Sequence, residues 1–340
     1  SPKQFEKLVG ERSTLQLAVD RLVPDFKYED IYISTNLAYS SLVKKQLPEI
    51  PDKNLFFEPE KKDVAPAIAL AVGVLNKISP DEPIAILWSD HLVKQVGLYK
   101  KIIRTAAAVV KNNPDKIVFI THQPRFASVN LGYVNYGKKI QLKDGVSFYE
   151  FKGWKYRPDV KTANKFLKSG KYAWNLGYFV TTPRFIFNAF KNLAPEIFKN
   201  TEAILNHYGK KDYLKTLKEK YGNVKSVSFD NAILERLDKN QAYVVVEDIG
   251  WSDVGSWEAL KEAQQLHTYE NVTRGRLYLD HVKDSLIYNY DDKKLIVGVD
   301  LDEHIIVNTE DVILIAKKNS MPKVKKLVEG FSGTKNEELT

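Results

Sequence analysis

The stretch IAILWSDH (84–91) runs five apolar residues into Ser, Asp and His, and this pattern decides the fold. A short, wholly apolar run is the signature of a strand buried on both faces, and the polar triplet marks where it leaves the sheet. Similar runs recur at IYIST (31–35), LFFEP (55–59), KIVFIT (116–121), YFVTT (178–182) and AYVVVED (242–248). Between them lie segments of helical period. Ser13 offers an N-cap to TLQLAVDRL, Thr35 to NLAYSSLVKKQL, and VAPAIALAVGVLNKI (64–78) is apolar nearly all round, as suits a helix lying on a sheet. LYKKIIRTAAAVVKNN and PRFIFNAFKNLA read the same way. The alternation predicts an α/β fold with a Rossmann-like, mainly parallel sheet, whose ligand edge is the set of strand-to-helix junctions.

After EALKEAQQLH (258–267) the character changes. From Asn271 to Lys318 the chain reads as short β segments, RLYLD, SLIYNY, KLIVGVD, HIIVNT and VILIAKK, separated by Asp, Asn and Lys turns. Two domains are expected, 1–267 and 268–340, the second a small β unit with a terminal helix at VKKLVEG and a frayed tail, SGTKNEELT.

Composition removes several functions. Of 340 residues none is Cys, so disulfide scaffolds, thiol catalysis and Cys-based zinc sites are out, and any metal would be hard and oxygen-liganded. No apolar run reaches the ~20 residues of a spanning helix, and the opening SPKQFEK has no signal-peptide core, which points to a cytoplasmic protein without a membrane partner. The net charge of +8 is spread as isolated pairs such as Lys44-Lys45 and Lys210-Lys211. A nucleic-acid partner would want a basic stripe interleaved with aromatics, so none is expected.

Asp90 and Asp253 each follow an apolar strand in a W-S-D tripeptide, and two such carboxylates suit Mg²⁺, which takes one or two carboxylates plus phosphate oxygens and water. Each could equally cap the next helix. Asp253 is framed by glycines and tryptophans in GWSDVGSW (250–257), a setting that permits close approach and excludes water. Lys3, Arg125 and Arg157 sit beside prolines, which stiffens cations suited to phosphate. Gly132-Tyr133, Asn175 and Gly177 combine amides, glycine and aromatic rings, a set that fits a polyhydroxylated ligand or ordinary turns. His91 reads as a structural hydrogen-bonding group.

Together these stretches resemble the mannose-1-phosphate guanylyltransferases of the sugar-phosphate nucleotidyltransferase superfamily, along nearly the whole chain. SPKQFEKLVGERSTLQ, LFFEPEKKDVAPAIALA, LWSDH, GKYAWNLGYFV and SFDNAILER are similar to family motifs, and GWSDVGSW matches W-S-D-[VL]-G-[ST]-W in full. The resemblance implies a GT-A-like catalytic domain and Mg²⁺-assisted transfer of a guanylyl group from GTP to mannose 1-phosphate, giving GDP-mannose and pyrophosphate. It assigns Asp90 and Asp253 to the metal and to catalysis with Lys3 and Arg157. Glu58, Pro59, Ala65, Pro66 and Asp90 fall to the nucleotide, and Gly132, Tyr133, Asn175, Gly177 and Asp230 to the sugar. It further implies a left-handed β-helix after the catalytic domain, and a homodimer.

The sequence departs from the family at named positions. The glycine-rich opening with its first strand has no counterpart from Ser1 onward, which suggests a piece of a longer protein or a catalytically silent, sugar-nucleotide-binding or regulatory relative. Tyr156-Arg157-Pro158 stands for E-K-P and Asn175-Leu176-Gly177 for N-S-G, leaving room for another hexose 1-phosphate.

Overall fold

The computed structural model describes residues 3–331 and 333–335. The tail expected over 332–340 therefore lies mostly outside the described residues, as do Ser1 and Pro2. In chain order the strands are β1 (Ile33–Asn36), β2 (Leu55–Glu58), β3 (Ile84–Ile86), β4 (Leu92–Val93), β5 (Ile117–His122), β6 (Tyr133–Lys143), β7 (Val146–Lys155), β8 (Tyr172–Thr181), β9 (Ala242–Val246), β10 (Trp251–Ser252), β11 (Val272–Arg274), β12 (Leu277–Asp280), β13 (Leu286–Asn289), β14 (Ile296–Val299), β15 (His304–Asn308) and β16 (Ile313–Lys317). Contacts cluster into two units. The larger is Leu15–Ser89 with Gln95–Ile249, and the smaller is Ser1–Thr14, Asp90–Lys94 and Gly250–Thr340. The boundary expected at 267/268 falls inside the smaller unit.

The larger unit is a mixed α/β layer structure. Its six-stranded sheet runs β3-β8-β5-β9-β7-β6, with β6 also reaching β8, and β1-β2 form a separate parallel pair. The expectation of a mainly parallel sheet is corrected here, because only β5–β9 is parallel while β3–β8, β5–β8, β6–β7, β6–β8 and β7–β9 are antiparallel. The long β6–β7 hairpin accounts for part of this, and its tight turn at Asp144-Gly145 has φ of 49° and 76°. Asp-Gly supplies the two positive φ values that such a turn requires.

The centre follows the apolar pattern. Ile117, Val118, Phe119 and Ile120 of β5 are wholly buried, and Phe119 meets Phe151, Trp154 and Phe179 at 5.0–5.8 Å between ring centroids. Helix Val64–Ile78 packs Ala65, Ile68, Ala69 and Val72 into the same core. Its N-cap is Asp63, at φ 62°, whose side chain accepts the Val64 N–H at 2.7 Å. The cap expected at Thr35 moves one residue on. Thr35 belongs to β1, and Asn36 accepts the Ala38 N–H instead.

In the smaller unit β11-β13-β15 stack in parallel, β16 returns antiparallel on β15, and β12-β14 form a second parallel ladder. Side chains link neighbouring strands of this stack. Asn308 Nδ2 donates to Asn289 Oδ1 at 2.7 Å, and both residues are 2% exposed. Leu286, Tyr288, Ile305 and Val307 form the core with Val254, Leu260 and Met321. Beside it lies a buried ionic cluster in which Lys261 Nζ bonds Asp284 Oδ1 at 2.5 Å and Lys318 Nζ bonds Asp284 Oδ2. Burial alone would raise the Asp284 carboxyl, but the two lysines outweigh it and hold it below its ordinary value.

Candidate active site

In the smaller unit, two-residue pairing does the positioning. Trp251 pairs with Val93 and Ser252 with Leu92, antiparallel. The residues just before Leu92 and just after Ser252 therefore emerge at the same end of the ladder, and these are Asp90-His91 and Asp253. Strand β3 stops at Ile86, so Asp90 is placed by β4 and not by the long apolar strand expected through it.

The loop that carries Asp253 is tightly formed. Gly250 (φ 63°) lies so close to Lys94 that a Cβ would sit 2.6 Å from the lysine Cβ. Ser252 Oγ accepts the Val254 N–H at 3.2 Å, Val254 has φ 40°, and Asp253 Oδ1 accepts the Gly255 N–H at 3.2 Å. Positive φ at a β-branched residue is strained, and it persists where surroundings over-determine it. His91 joins the two strands, since Trp251 Nε1–H donates to its Nδ1 at 3.1 Å. With Nδ1 accepting, the ring proton belongs on Nε2, which lies 3.6 Å from Asp90 Oδ1.

Two further clusters belong to the larger unit. Gly132, Asn175 and Asp230 come together: the Gly132 carbonyl accepts the Asn175 N–H at 2.8 Å, and Asn175 Nδ2 lies 3.5 Å from Asp230 Oδ1. A Cβ on Gly132 would lie 3.4 Å from both Asn175 Cβ and Asp230 Oδ1, already at the edge of tight contact. Burial pushes the Asp230 carboxyl up to about 6. Asn175 Oδ1 accepts the Gly177 N–H at 2.7 Å. Gly177 itself, at φ 74°, is covered by Trp88, whose Nε1 would be 1.4 Å from any Cβ there. Tyr133 turns inward, wholly buried, with its hydroxyl donated to the Ser128 carbonyl at 2.9 Å. Arg157 is exposed at φ 42°, its Nε donates to the Asn130 carbonyl at 3.3 Å, and its guanidinium lies 5.0 Å from the Tyr156 ring.

The second cluster surrounds the end of β2. Tyr221 donates its hydroxyl to Glu58 Oε2 at 2.5 Å. Burial raises the Glu58 carboxyl above its ordinary value, opposed by the Tyr221 hydroxyl and by Lys61. Pro59 is half-buried, and Ala65 and Pro66 are buried in the first turn of helix Val64–Ile78. Lys3 opens a short 3-10 turn, Lys3–Phe5, and its side chain lies outside what the structure describes.

Several residues here escaped the sequence reading. Glu235 Oε1 accepts the Tyr156 N–H at 2.8 Å and so tethers the Tyr156-Arg157 loop; the signal was its place at the end of FDNAILER. His122 ends β5 with Nε2 3.0 Å from Asp248 Oδ1 and Nδ1 2.6 Å from the Gln123 carbonyl, at the carboxyl end of the parallel β5–β9 pair. A cavity of about 630 Å³, lined in part by Asp81, Pro114, Arg184, Asn188, Arg236 and Gln241, lies at the opposite, amino-terminal ends of β5 and β9. It shares no residue with these clusters.

The nucleotidyl transferase family model matches residues 1–270. The chain belongs to the nucleotidyl transferase family. Among curated nucleotidyltransferases, it is 33% identical over 334 residues to the mannose-1-phosphate guanylyltransferase RfbM of Salmonella typhimurium (strain LT2), covering 96% of this chain and 67% of that protein. It is 32% identical over 333 residues to the mannose-1-phosphate guanylyltransferase of Salmonella muenchen, covering 96% and 68%. In fold it is similar to a crystal structure titled mannose-1-phosphate geranyltransferase from Thermus thermophilus, with a TM-score of 0.83 at 22% identity over 98% of this chain and 93% of that one.

For this nucleotidyltransferase the donor set limits the metal. Among the described residues no three His, Cys, Asp or Glu side chains converge on one point. Asp90 and Asp253 leave the same end of one ladder, and carboxylates are the ligand type that a hard divalent cation takes beside phosphate and water. No described helix is long and apolar enough to cross a membrane.

Proposed function

We propose that this nucleotidyltransferase transfers a guanylyl group from GTP to mannose 1-phosphate, with Mg²⁺, in the cytoplasm. The observation that carries the reading is the β4–β10 pairing, by which Asp90, ahead of β4, and Asp253, in the GWSDVGSW loop, leave the ladder at one end. A phosphate oxygen of the sugar phosphate attacks the α-phosphorus of GTP in line, the bond to the β-phosphate oxygen breaks, and pyrophosphate leaves. The chain's work is to position and to neutralise charge. Asp90 and Asp253 would hold Mg²⁺, which supplies charge neutralisation at the reacting phosphates.

Glu58 would accept N–H groups of the base, with Pro59, Ala65 and Pro66 along it. Arg157 would meet the sugar phosphate, and Lys3 the triphosphate. Gly132, Asn175 and Asp230 would bind sugar hydroxyls, Tyr133 and Gly177 serving through the backbone that they shape. Nucleotidyl transfer is assigned to 1–267, and the coils of 268–340 to a left-handed β-helix that pairs two copies of the chain. A second reading, another hexose 1-phosphate, is favoured by Tyr156 in place of the family's glutamate. A silent relative that binds sugar nucleotides without turnover is the remaining alternative.

The test is pyrophosphate release by the full-length protein across nucleoside triphosphates and hexose 1-phosphates with Mg²⁺. Highest kcat/KM with GTP and mannose 1-phosphate supports the reading, another sugar favours the second, and no turnover with any pair removes the enzyme.

A further inference from the structure

The loop 58–65, between β2 and helix Val64–Ile78, is bound to the end of helix Tyr213–Gly222 and the segment after it at four points. Lys62 Nζ donates to the Gly222 carbonyl at 2.9 Å, Val227 N–H to the Lys62 carbonyl at 3.3 Å, and Ala65 N–H to the Val227 carbonyl at 3.2 Å. Those three fix the backbone course of the loop. The fourth is of another kind. Tyr221, 2% exposed among Leu70, Ile204 and Leu217, spends its hydroxyl on one side chain, Glu58, at 2.5 Å.

A buried hydroxyl needs a partner. Choosing a half-buried carboxylate has a further effect. It restrains the Glu58 side chain and commits Oε2, so that Oε1 is the acceptor left for a ligand; among the described residues the Glu58 carboxylate has no other hydrogen-bond partner. An oriented carboxylate selects bases that carry N–H donors on the Watson–Crick edge. Guanine has two adjacent donors there, at N1 and the 2-amino group, hypoxanthine keeps only N1–H, and adenine sets its single 6-amino donor beside N1, an acceptor that a carboxylate repels.

Resting on the reading above that Glu58 meets the base, we propose that Tyr221 is a specificity-determining positioning residue, which holds Glu58 in the rotamer that recognises the guanine edge. Helix Tyr213–Gly222 is thus part of the base-selecting apparatus, although Tyr221 itself touches no base.

The test compares wild type with Tyr221→Phe by calorimetric titration of GTP, ITP and ATP, and by steady-state kinetics with GTP. The three backbone-directed tethers remain, so the variant should fold. GTP affinity should fall about tenfold, the scale of one charge-assisted hydrogen bond, with ATP affinity within about twofold and kcat unchanged. A folded Tyr221→Phe with the wild-type GTP-to-ATP and GTP-to-ITP ratios overturns the proposal, as does an equal loss for all three nucleotides. If that variant gives no cooperative melt, Glu58→Gln decides, since it alters the same carboxylate without touching the core: an unchanged GTP preference overturns the proposal and a lost one supports it. Because binding is read apart from turnover, a protein that selects GTP yet never releases pyrophosphate sinks the enzymatic reading and leaves this one standing.

Discussion

Trp251 Nε1–H donates to His91 Nδ1 at 3.1 Å, and the rings meet edge to face at 5.2 Å. This bond joins β10 to the residue beside Asp90 and fixes which nitrogen of His91 faces that carboxylate. Trp251→Phe keeps the ring and deletes the donor. It should raise the Mg²⁺ concentration for half-maximal activity about tenfold, as losses of such outer hydrogen bonds do, and weaken Mn²⁺ binding alike in a titration without substrate. Unchanged metal binding would mean that the bond only packs the loop.

Asp253→Asn removes a charge and little volume. Turnover should fall at least about a hundredfold, the scale of losing one preorganised electrostatic contact, while the melting temperature stays within a few degrees. Normal turnover would take Asp253 out of the metal site.

Asp230 has its carboxyl raised to about 6 by burial. The folded state therefore holds a proton that the unfolded chain has released, and stability falls as pH rises from about 4 to about 6. Asp230→Asn should make the protein more stable than wild type above pH 6, by an amount on the order of 1–3 kcal/mol, with the gap closing towards pH 4. KM for the sugar phosphate should rise. Thermal melts across pH would check the sign, and a gap that does not change with pH contradicts it.

Asp284 is the reverse case. Its carboxyl is held below the ordinary value, so its contribution to stability is complete above pH 4 and is lost as the pH falls through the lowered value. Asp284→Asn leaves Lys261 buried without its counter-charge and should cost about 3–5 kcal/mol in denaturant unfolding at pH 7. A cost below about 1 kcal/mol would show that Gln265, 2.9 Å from Lys261 Nζ, is a sufficient partner.

The strands around β5 were legible because they are apolar on both faces, and the short strands of the smaller unit because short apolar runs alternate with Asp and Asn turns. The β6–β7 hairpin was not. Its outer half, Lys138-Lys139-Ile140-Gln141-Leu142-Lys143, is mostly exposed, with Leu142 at 62%, so no buried face marks it as strand. Only the Asp-Gly turn could have announced it. Among the candidate site residues, Asp90, Asp253, Asn175 and Asp230 could be picked out by type and position. Tyr221, Glu235 and Asp248 act on partners 79 to 163 residues away in sequence, and no local pattern encodes such a bond.

The smaller unit draws on three separate lengths of chain, Ser1–Thr14, Asp90–Lys94 and Gly250–Thr340. Arg274 holds the carbonyls of Lys7 and Gly10, and the Tyr288 hydroxyl holds that of Leu8. On the ribosome, the segment around Lys7 must therefore wait for more than 250 further residues before its partners exist. At about 5–20 residues per second that delay lasts on the order of ten seconds or more. This segment is thus made long before the strands that receive it, and until those strands form it offers Leu8 and Val9 to whatever else is in solution.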